Sequence, residues 1–144
     1  MGSLVVRKAE EHDNAQVAKL MAELGYPVSA ALMRQKIQEI LLSDMDCAYV
    51  AEHDGHLVGV ISVHALPLFH AVGNLGRITA LVVSAAHQRS GIGSQLVEAA
   101  QVFARSTGCV KMEVTSGSHR KGAHIFYERA GYEQTAHGRF IRSL

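Results

Sequence analysis

The sequence predicts an α/β fold with its elements in the order β-αα-βββ-α-β-α-β. Three observations carry that prediction. Apolar residues alternate or run on in short β-branched stretches, and elsewhere they recur at the three-and-four spacing of an amphipathic helix. Asp54-Gly55 separates two of the strand-like stretches as a two-residue hairpin signal. The run over residues 78–83 stops at Ser84, turns through Gly91-Ile92-Gly93, and enters an apolar-periodic helix at once.

Taken in order, residues 4–8 read as a first strand. Asp13 reads as a helix N-cap with Gln16 at the capping-box position, and Val17, Leu20, Met21 and Leu24 mark the buried face. Gly25 ends this helix and Pro27 reinforces the stop. Ser29 caps a second helix carrying Met33, Ile37, Ile40 and Leu41. Residues 47–52 and 56–64 form the hairpin strands, the second almost wholly apolar as a central strand should be. Residues 66–76, with Pro67, Gly73 and Asn74, read as a loop of a length that often borders an active site. After the glycine turn, Ile92, Leu96, Ala99, Ala100 and Phe103 line the buried face of a third helix, which Gly108 stops. Residues 110–115 alternate as a strand, and residues 116–122 form a polar loop. A fourth helix runs from about Arg120 to Ala130, ended by Gly131 with Tyr132 as the apolar partner of its cap. Residues 139–142 read as a short last strand. With 144 residues and no linker-like break, residues 1–144 are expected to form one domain.

The first N–H groups of a helix lack intrahelical acceptors, and the macrodipole adds partial positive charge there, so the glycine turn reads as a diphosphate cradle. Neither common nucleotide motif fits. No Gly-Lys-Ser/Thr follows, and Leu96 stands where a third dinucleotide-fingerprint glycine belongs. The pattern present is Gln/Arg-x-x-Gly-x-Gly/Ala, written here Gln88-Arg89-Ser90-Gly91-Ile92-Gly93. Leu81-Val82-Val83 precedes it, an amphipathic helix follows, and the stretch AHIFYERAGY over residues 123–132 comes later. In this combination the chain resembles the GNAT superfamily of N-acetyltransferases from about Leu4 to the C-terminus, most strongly over residues 77–132.

The resemblance implies a mixed, mostly antiparallel central sheet flanked by helices. It also implies acetyl-CoA as co-substrate and direct acetyl transfer to a primary amine within a ternary complex. The diphosphate would rest on the amides of Gln88, Arg89, Ser90, Gly91, Ile92, Gly93 and Ser94, with side-chain contacts from Arg89 and Gln88. The strand before the cradle would leave its ladder at a bulge, freeing backbone groups at Leu81, Val82 and Val83 for the pantetheine arm and the acetyl carbonyl. Arg120 stands where many relatives have an asparagine that touches the cofactor; an arginine there suits a phosphate or the adenosine end. Tyr127 falls where similar proteins place the general acid toward the departing thiolate. Many relatives carry a glutamate where this chain has Thr79, which leaves Glu113, His64, His70 and His119 open as replacement bases. The helical corner with Tyr26 and the loop with Phe69 fall where relatives build the acceptor wall, and Tyr26 fits equally well as a plug between the two helices. Edge strands of this fold often pair between subunits, so a homodimer is implied.

Composition narrows the partners. Charged residues make up 19% and the net charge is +1, so no strong field draws the protein to nucleic acid or an anionic membrane. The apolar runs are far short of a membrane span, and no signal-like segment opens the chain, so a cytoplasmic location is expected. Cys47 and Cys109 sit in apolar runs and read as reduced core residues. The nine histidines include no helical H-x-x-x-H pair and no C-x-x-C companion, so no metal is expected. The acceptor reads as a small-molecule or protein amine of open identity. The competing reading is a non-catalytic acyl-CoA-binding sensor or regulatory subunit with the same fold, which Thr79 favours and Tyr127 opposes.

Overall fold

Five strands pair in sequence order: β1 (Leu4–Lys8), β2 (Asp46–His53), β3 (His56–Pro67), β4 (Asn74–Val83) and β5 (Cys109–Val114). All pairs are antiparallel except β4–β5, which is parallel. This computed structural model describes residues 3–115 and 121–144, and the chain divides into two units, Met1–Val114 and Thr115–Leu144. The first unit holds the whole sheet with α1 (Asn14–Glu23), α2 (Ala30–Leu41) and α3 (Ile92–Ser106). The second holds α4 (Lys121–Arg129). The expected mixed, mostly antiparallel sheet with flanking helices is therefore present.

Val17 and Leu20 of α1 and Ile37 of α2 bury their apolar stripe with Val50, Leu57, Val60 and Val82 of the sheet. Alternation along β3 turns Ile61 and Val63 the other way, and both are fully buried. α3 contributes Ile92, Leu96, Val97 and Ala100 to the buried set. Its first turns lie hard against β3 because residue 59 is glycine. A Cβ there would stand 2.9 Å from Leu96 Cδ1 and 3.2 Å from the Val82 carbonyl. In the second unit α4 ends in a Schellman cap: Tyr132 N–H donates to Tyr127 O at 2.9 Å and Gly131 N–H to Glu128 O at 3.0 Å. The Tyr132 ring meets the Tyr127 ring at 5.9 Å, which is the apolar contact expected of it.

The hairpin signal forms as expected, with His53 paired to His56 and positive φ at Asp54 (51°) and Gly55 (79°). Ser29 caps α2 by accepting the Leu32 N–H at 3.0 Å. Three expectations need correction. The loop expected over residues 66–76 shrinks to residues 68–73, because Leu66 pairs with Leu75 and Pro67 with Asn74. Residues 139–142 form no strand; a strand exists through its ladder, and none is made over residues 132–144. Asp13 stands at the N-cap of α1 but its side chain makes no capping hydrogen bond, and Gln16 does not complete a box. Residues Glu11–Asp13 make a 3-10 turn entered from Glu10, and Gln16 Oε1 instead accepts the Leu57 N–H at 2.8 Å.

Asp13 is diverted because a buried carboxylate needs a cation more than a helix end needs a cap. Its two oxygens accept from both terminal nitrogens of Arg7 at 2.8 and 2.9 Å, and one also accepts the Glu10 N–H at 2.8 Å. Arg7 reaches Glu52 Oε1 as well, at 3.0 Å. Burial opposes the charge on Asp13, but the Arg7 and Glu10 hydrogen bonds and the Arg7 charge outweigh it and hold the carboxyl below its ordinary range. Asp13→Ala should therefore cost about 3 kcal/mol in denaturant unfolding, since it removes two of the Arg7 contacts and the acceptor of the Glu10 N–H and leaves Arg7 paired to Glu52 alone. A depressed folded-state pKa contributes stability above the unfolded value and loses it as pH falls through the folded one. Wild type and variant should thus converge in strong acid; a loss below about 1 kcal/mol at neutral pH would reduce the pair to a surface contact.

Candidate functional site

The turn between β4 and α3 uses backbone geometry that L-residues seldom adopt. Arg89 (φ 66°) and Gly91 (φ 84°) are both left-handed, with Ser90 between them. Left-handed residues interleaved with ordinary ones turn neighbouring N–H groups inward, as in anion-binding nests. The turn runs straight into α3, whose N-cap Gly91 offers no side-chain oxygen to the first helical amides. A Cβ built on Gly91 meets nothing within 4 Å, so the mouth of the turn is open. Its start is pinned: Ser84 N–H donates to Val58 O at 2.8 Å, and Ala85 N–H to Glu23 Oε2 at 3.3 Å. Ser90 Oγ donates to His87 O, and Gln88 Nε2 to Val83 O at 3.3 Å. The Gln88 side chain thus braces the turn through its nitrogen, while Arg89 is exposed.

β4 carries the expected bulge. Ser62 pairs with Ala80 and Val63 with Ile78, so Thr79 is the extra residue. Beyond it Leu81, Val82 and Val83 stay paired to Ile61, Val60 and Gly59 of β3. On the other side the parallel ladder with β5 ends at Ile78–Val114. From Thr79 to Val83 the β5 side of β4 therefore has no ladder partner among the described residues. An open strand edge leads directly into the left-handed turn.

Between the helical hairpin and the sheet lies a cavity of about 250 Å³. Val17, Met21, Met33, Ile37, Ile40 and Val60 give it apolar walls, and Lys36, Ser62, His64 and Thr79 also line it. The last three belong to one hydrogen-bonded chain. Asp46 Oδ1 meets His64 Nδ1 at 2.6 Å, His64 Nε2 meets Thr79 Oγ1 at 2.7 Å, and Thr79 Oγ1 meets Ser62 Oγ at 2.7 Å. Behind them Ser43 Oγ donates to Asp46 Oδ2 at 2.7 Å. The Ser43 hydroxyl first, then the hydrogen bond with His64, hold the Asp46 carboxyl below its ordinary range against the opposing effect of burial.

Of the other expected site residues, Tyr26 and Phe69 are exposed and line no part of this cavity. Glu113 pairs with Arg77 at 3.4 Å. Tyr127 is half-buried on α4 in the second unit, edge-on to Phe126 at 5.2 Å. Arg120 and His119 lie outside the described residues. Among the described residues no three His, Cys, Asp or Glu side chains gather as they would around a metal ion, and no helix is long and apolar enough to cross a membrane. Asp46, Ser62 and Ser43 were not expected at the site. A serine–histidine pair two residues apart on β3 was the one available signal.

Residues 6–132 match the family model described as acetyltransferase (GNAT) family. The chain is 38% identical over 95 residues to an aminoalkylphosphonate N-acetyltransferase of Salmonella typhimurium, an alignment covering 66% of this chain and 61% of that protein. The chain thus spans about three fifths of the length of that relative. Among solved structures it superposes on the aminoglycoside N-acetyltransferase AAC(6')-Iy in complex with CoA with a TM-score of 0.88 at 17% identity, covering 99% of this chain and 96% of that one. A transcriptional regulator from Bacillus halodurans C-125 superposes with a TM-score of 0.86 at 26% identity, over 98% and 100%. The first of these likenesses speaks to fold alone.

The left-handed turn makes its own prediction. Gly91→Val should cost about 1–2 kcal/mol, because an L-residue is strained at that φ even where space is free. Gly91→Asn, which tolerates the conformation better, should cost clearly less. Equal losses in denaturant titrations of the two variants would mean that residue 91 is not held left-handed.

Proposed function

The chain belongs to the acetyltransferase (GNAT) family, and on that premise we propose that it transfers an acetyl group from acetyl-CoA to a primary amine, directly, in a ternary complex. The observation that carries the reading is the open edge of β4 running into the left-handed turn and the uncapped start of α3. The diphosphate rests on the amides from Gln88 to Ser94, with the Arg89 guanidinium beside it. The pantetheine arm takes the vacant side of β4 past Leu81, Val82 and Val83, adding the ladder that β5 does not supply there. A β4 N–H donates to the thioester carbonyl oxygen and stabilises the charge that develops on it. The amine nitrogen, already neutral, attacks the carbonyl carbon; the tetrahedral intermediate gives its extra N–H proton to solvent and collapses, and the C–S bond breaks. The coenzyme A thiolate leaves and takes a proton. From its place in the motif Phe126-Tyr127-Glu128, Tyr127 is the proposed donor of that proton.

The acceptor nitrogen enters from the cavity between α1, α2 and the sheet. Its apolar walls favour a compact amine over a polycation. The Salmonella relative named for aminoalkylphosphonates is consistent with a small-molecule acceptor. Tyr26 and Phe69, exposed on the loops outside the cavity, are proposed as outer contacts to larger acceptors.

A second reading has one observation in its favour: Thr79 places a hydroxyl, not a carboxylate, at the bulge, as a protein that only binds acyl-CoA would tolerate. Free coenzyme A released from acetyl-CoA in the presence of a primary-amine panel separates the two. Release supports transfer; tight binding without release from any amine supports a sensor. Where transfer occurs, Tyr127→Phe should lower kcat about 10²–10⁴-fold, with far less effect on acetyl-CoA affinity. Wild-type turnover in that variant removes Tyr127 from the mechanism.

A further inference from the structure

We propose that His64, oriented by Asp46, is the proton acceptor for the incoming amine and that Thr79 and Ser62 relay the proton to it. The inference rests on the acetyl-transfer reading and names a residue set that the reading does not contain.

The direction of the relay follows from donor and acceptor chemistry. An ionised Asp46 only accepts, so the 2.6 Å contact places the proton on His64 Nδ1. In neutral imidazole the other nitrogen is then an acceptor, and the 2.7 Å contact has Thr79 donating to His64 Nε2. With its proton so engaged, Thr79 Oγ1 accepts from Ser62. Every hydroxyl proton points toward the imidazole, and the Ser62 oxygen is left with lone pairs at the cavity wall. An ammonium donating to Ser62 Oγ displaces the Ser62 proton to Thr79 and the Thr79 proton to Nε2. One proton leaves the amine, one arrives on the imidazole, and no covalent bond to the protein forms.

The transfer opposes a gradient, since an alkylammonium has a pKa of ~10.4 and a free imidazole ~6.5. Two features reduce the difference. The apolar walls penalise the ammonium more than the neutral amine, and Asp46 stabilises the imidazolium as it forms. Other charges also face His64. Arg77 of β4 is its ladder partner and is paired to Glu113 of β5, and Lys36 of α2 lines the same cavity. α1 presents only Val17 and Met21 to the cavity.

A purely structural role for the chain accounts less well for its location. Thr79 is exposed and is the one residue that β4 extrudes from its ladder with β3, and its hydroxyl is placed on a histidine at the wall of a cavity. The test is initial-rate kinetics across pH 6–10 with acetyl-CoA and two probes, phenethylamine and an aminoalkylphosphonate, with thermal melts on the same preparations. His64→Gln should lower kcat about 10²-fold at neutral pH, leave the KM for acetyl-CoA nearly unchanged, and recover toward wild type at high pH, where the amine is already neutral. Thr79→Val should lose at least tenfold while Thr79→Ser, which keeps the hydroxyl, should not. Asp46→Asn should behave as His64→Gln does, which guards against one variant failing to fold. Wild-type kcat in His64→Gln, or a loss independent of pH that follows melting temperature, overturns the proposal while the transfer reading stands. A wild-type enzyme that releases no coenzyme A with either probe overturns both.

Discussion

β4 is paired from Asn74 to Val83 on one side, with only Thr79 left out, and only from Asn74 to Ile78 on the other. The arrangement of the site follows from that asymmetry. The long antiparallel ladder with β3 holds the strand rigidly, so its vacant edge can offer hydrogen-bonding groups without costing the sheet its integrity. The same strand delivers the chain into the left-handed turn, and Gly59 lets α3 settle against β3 at the distance that brings its first amides to the end of that edge. The bulge at Thr79 marks where the two regimes meet.

The polar chain depends on a second irregularity. The Asp54-Gly55 turn, continued without interruption, would set Asp46 opposite Val63. Instead Ala51 pairs with Gly59 and Glu52 with Leu57, which leaves Val58 unpaired and shifts the register by one residue. Asp46 then faces His64. A one-residue slip moves every side chain to the other face of a strand, so a single bulge decides whether a carboxylate meets an imidazole or an apolar core residue.

This explains what was legible in the sequence. Helices and strands are written in local periodicity, and the turn at 54–55 and the cap at Ser29 in local chemistry; these were readable, as was the tight glycine turn through Gly91 into α3. Asp13 was misread because its partner, Arg7, acts through tertiary contact, and a capping residue taken by a buried cation looks identical in the sequence. His64 could be named only as one of several bases, since its neighbours arrive from β2 and β4 through bulges that carry no residue signature. The end of β3 and start of β4 were read as loop because Pro67, Gly73 and Asn74 are turn residues by composition, whereas pairing extended the ladder through Pro67 and Asn74.

The geometry of Asp46, His64 and Thr79 is also that of a carboxylate and imidazole activating a hydroxyl, which would make Thr79 a nucleophile instead of a relay. The fate of the acetyl group distinguishes the two and tests the account most directly. The measurement is intact-protein and small-molecule mass spectrometry with acetyl-CoA labelled on the acetyl carbons. Direct transfer predicts that the label appears on the amine nitrogen only when amine is present, and that acetyl-CoA alone leaves the protein mass unchanged. A labelled acetyl group found on the protein before the amine is added, and discharged to the amine afterwards, would contradict it.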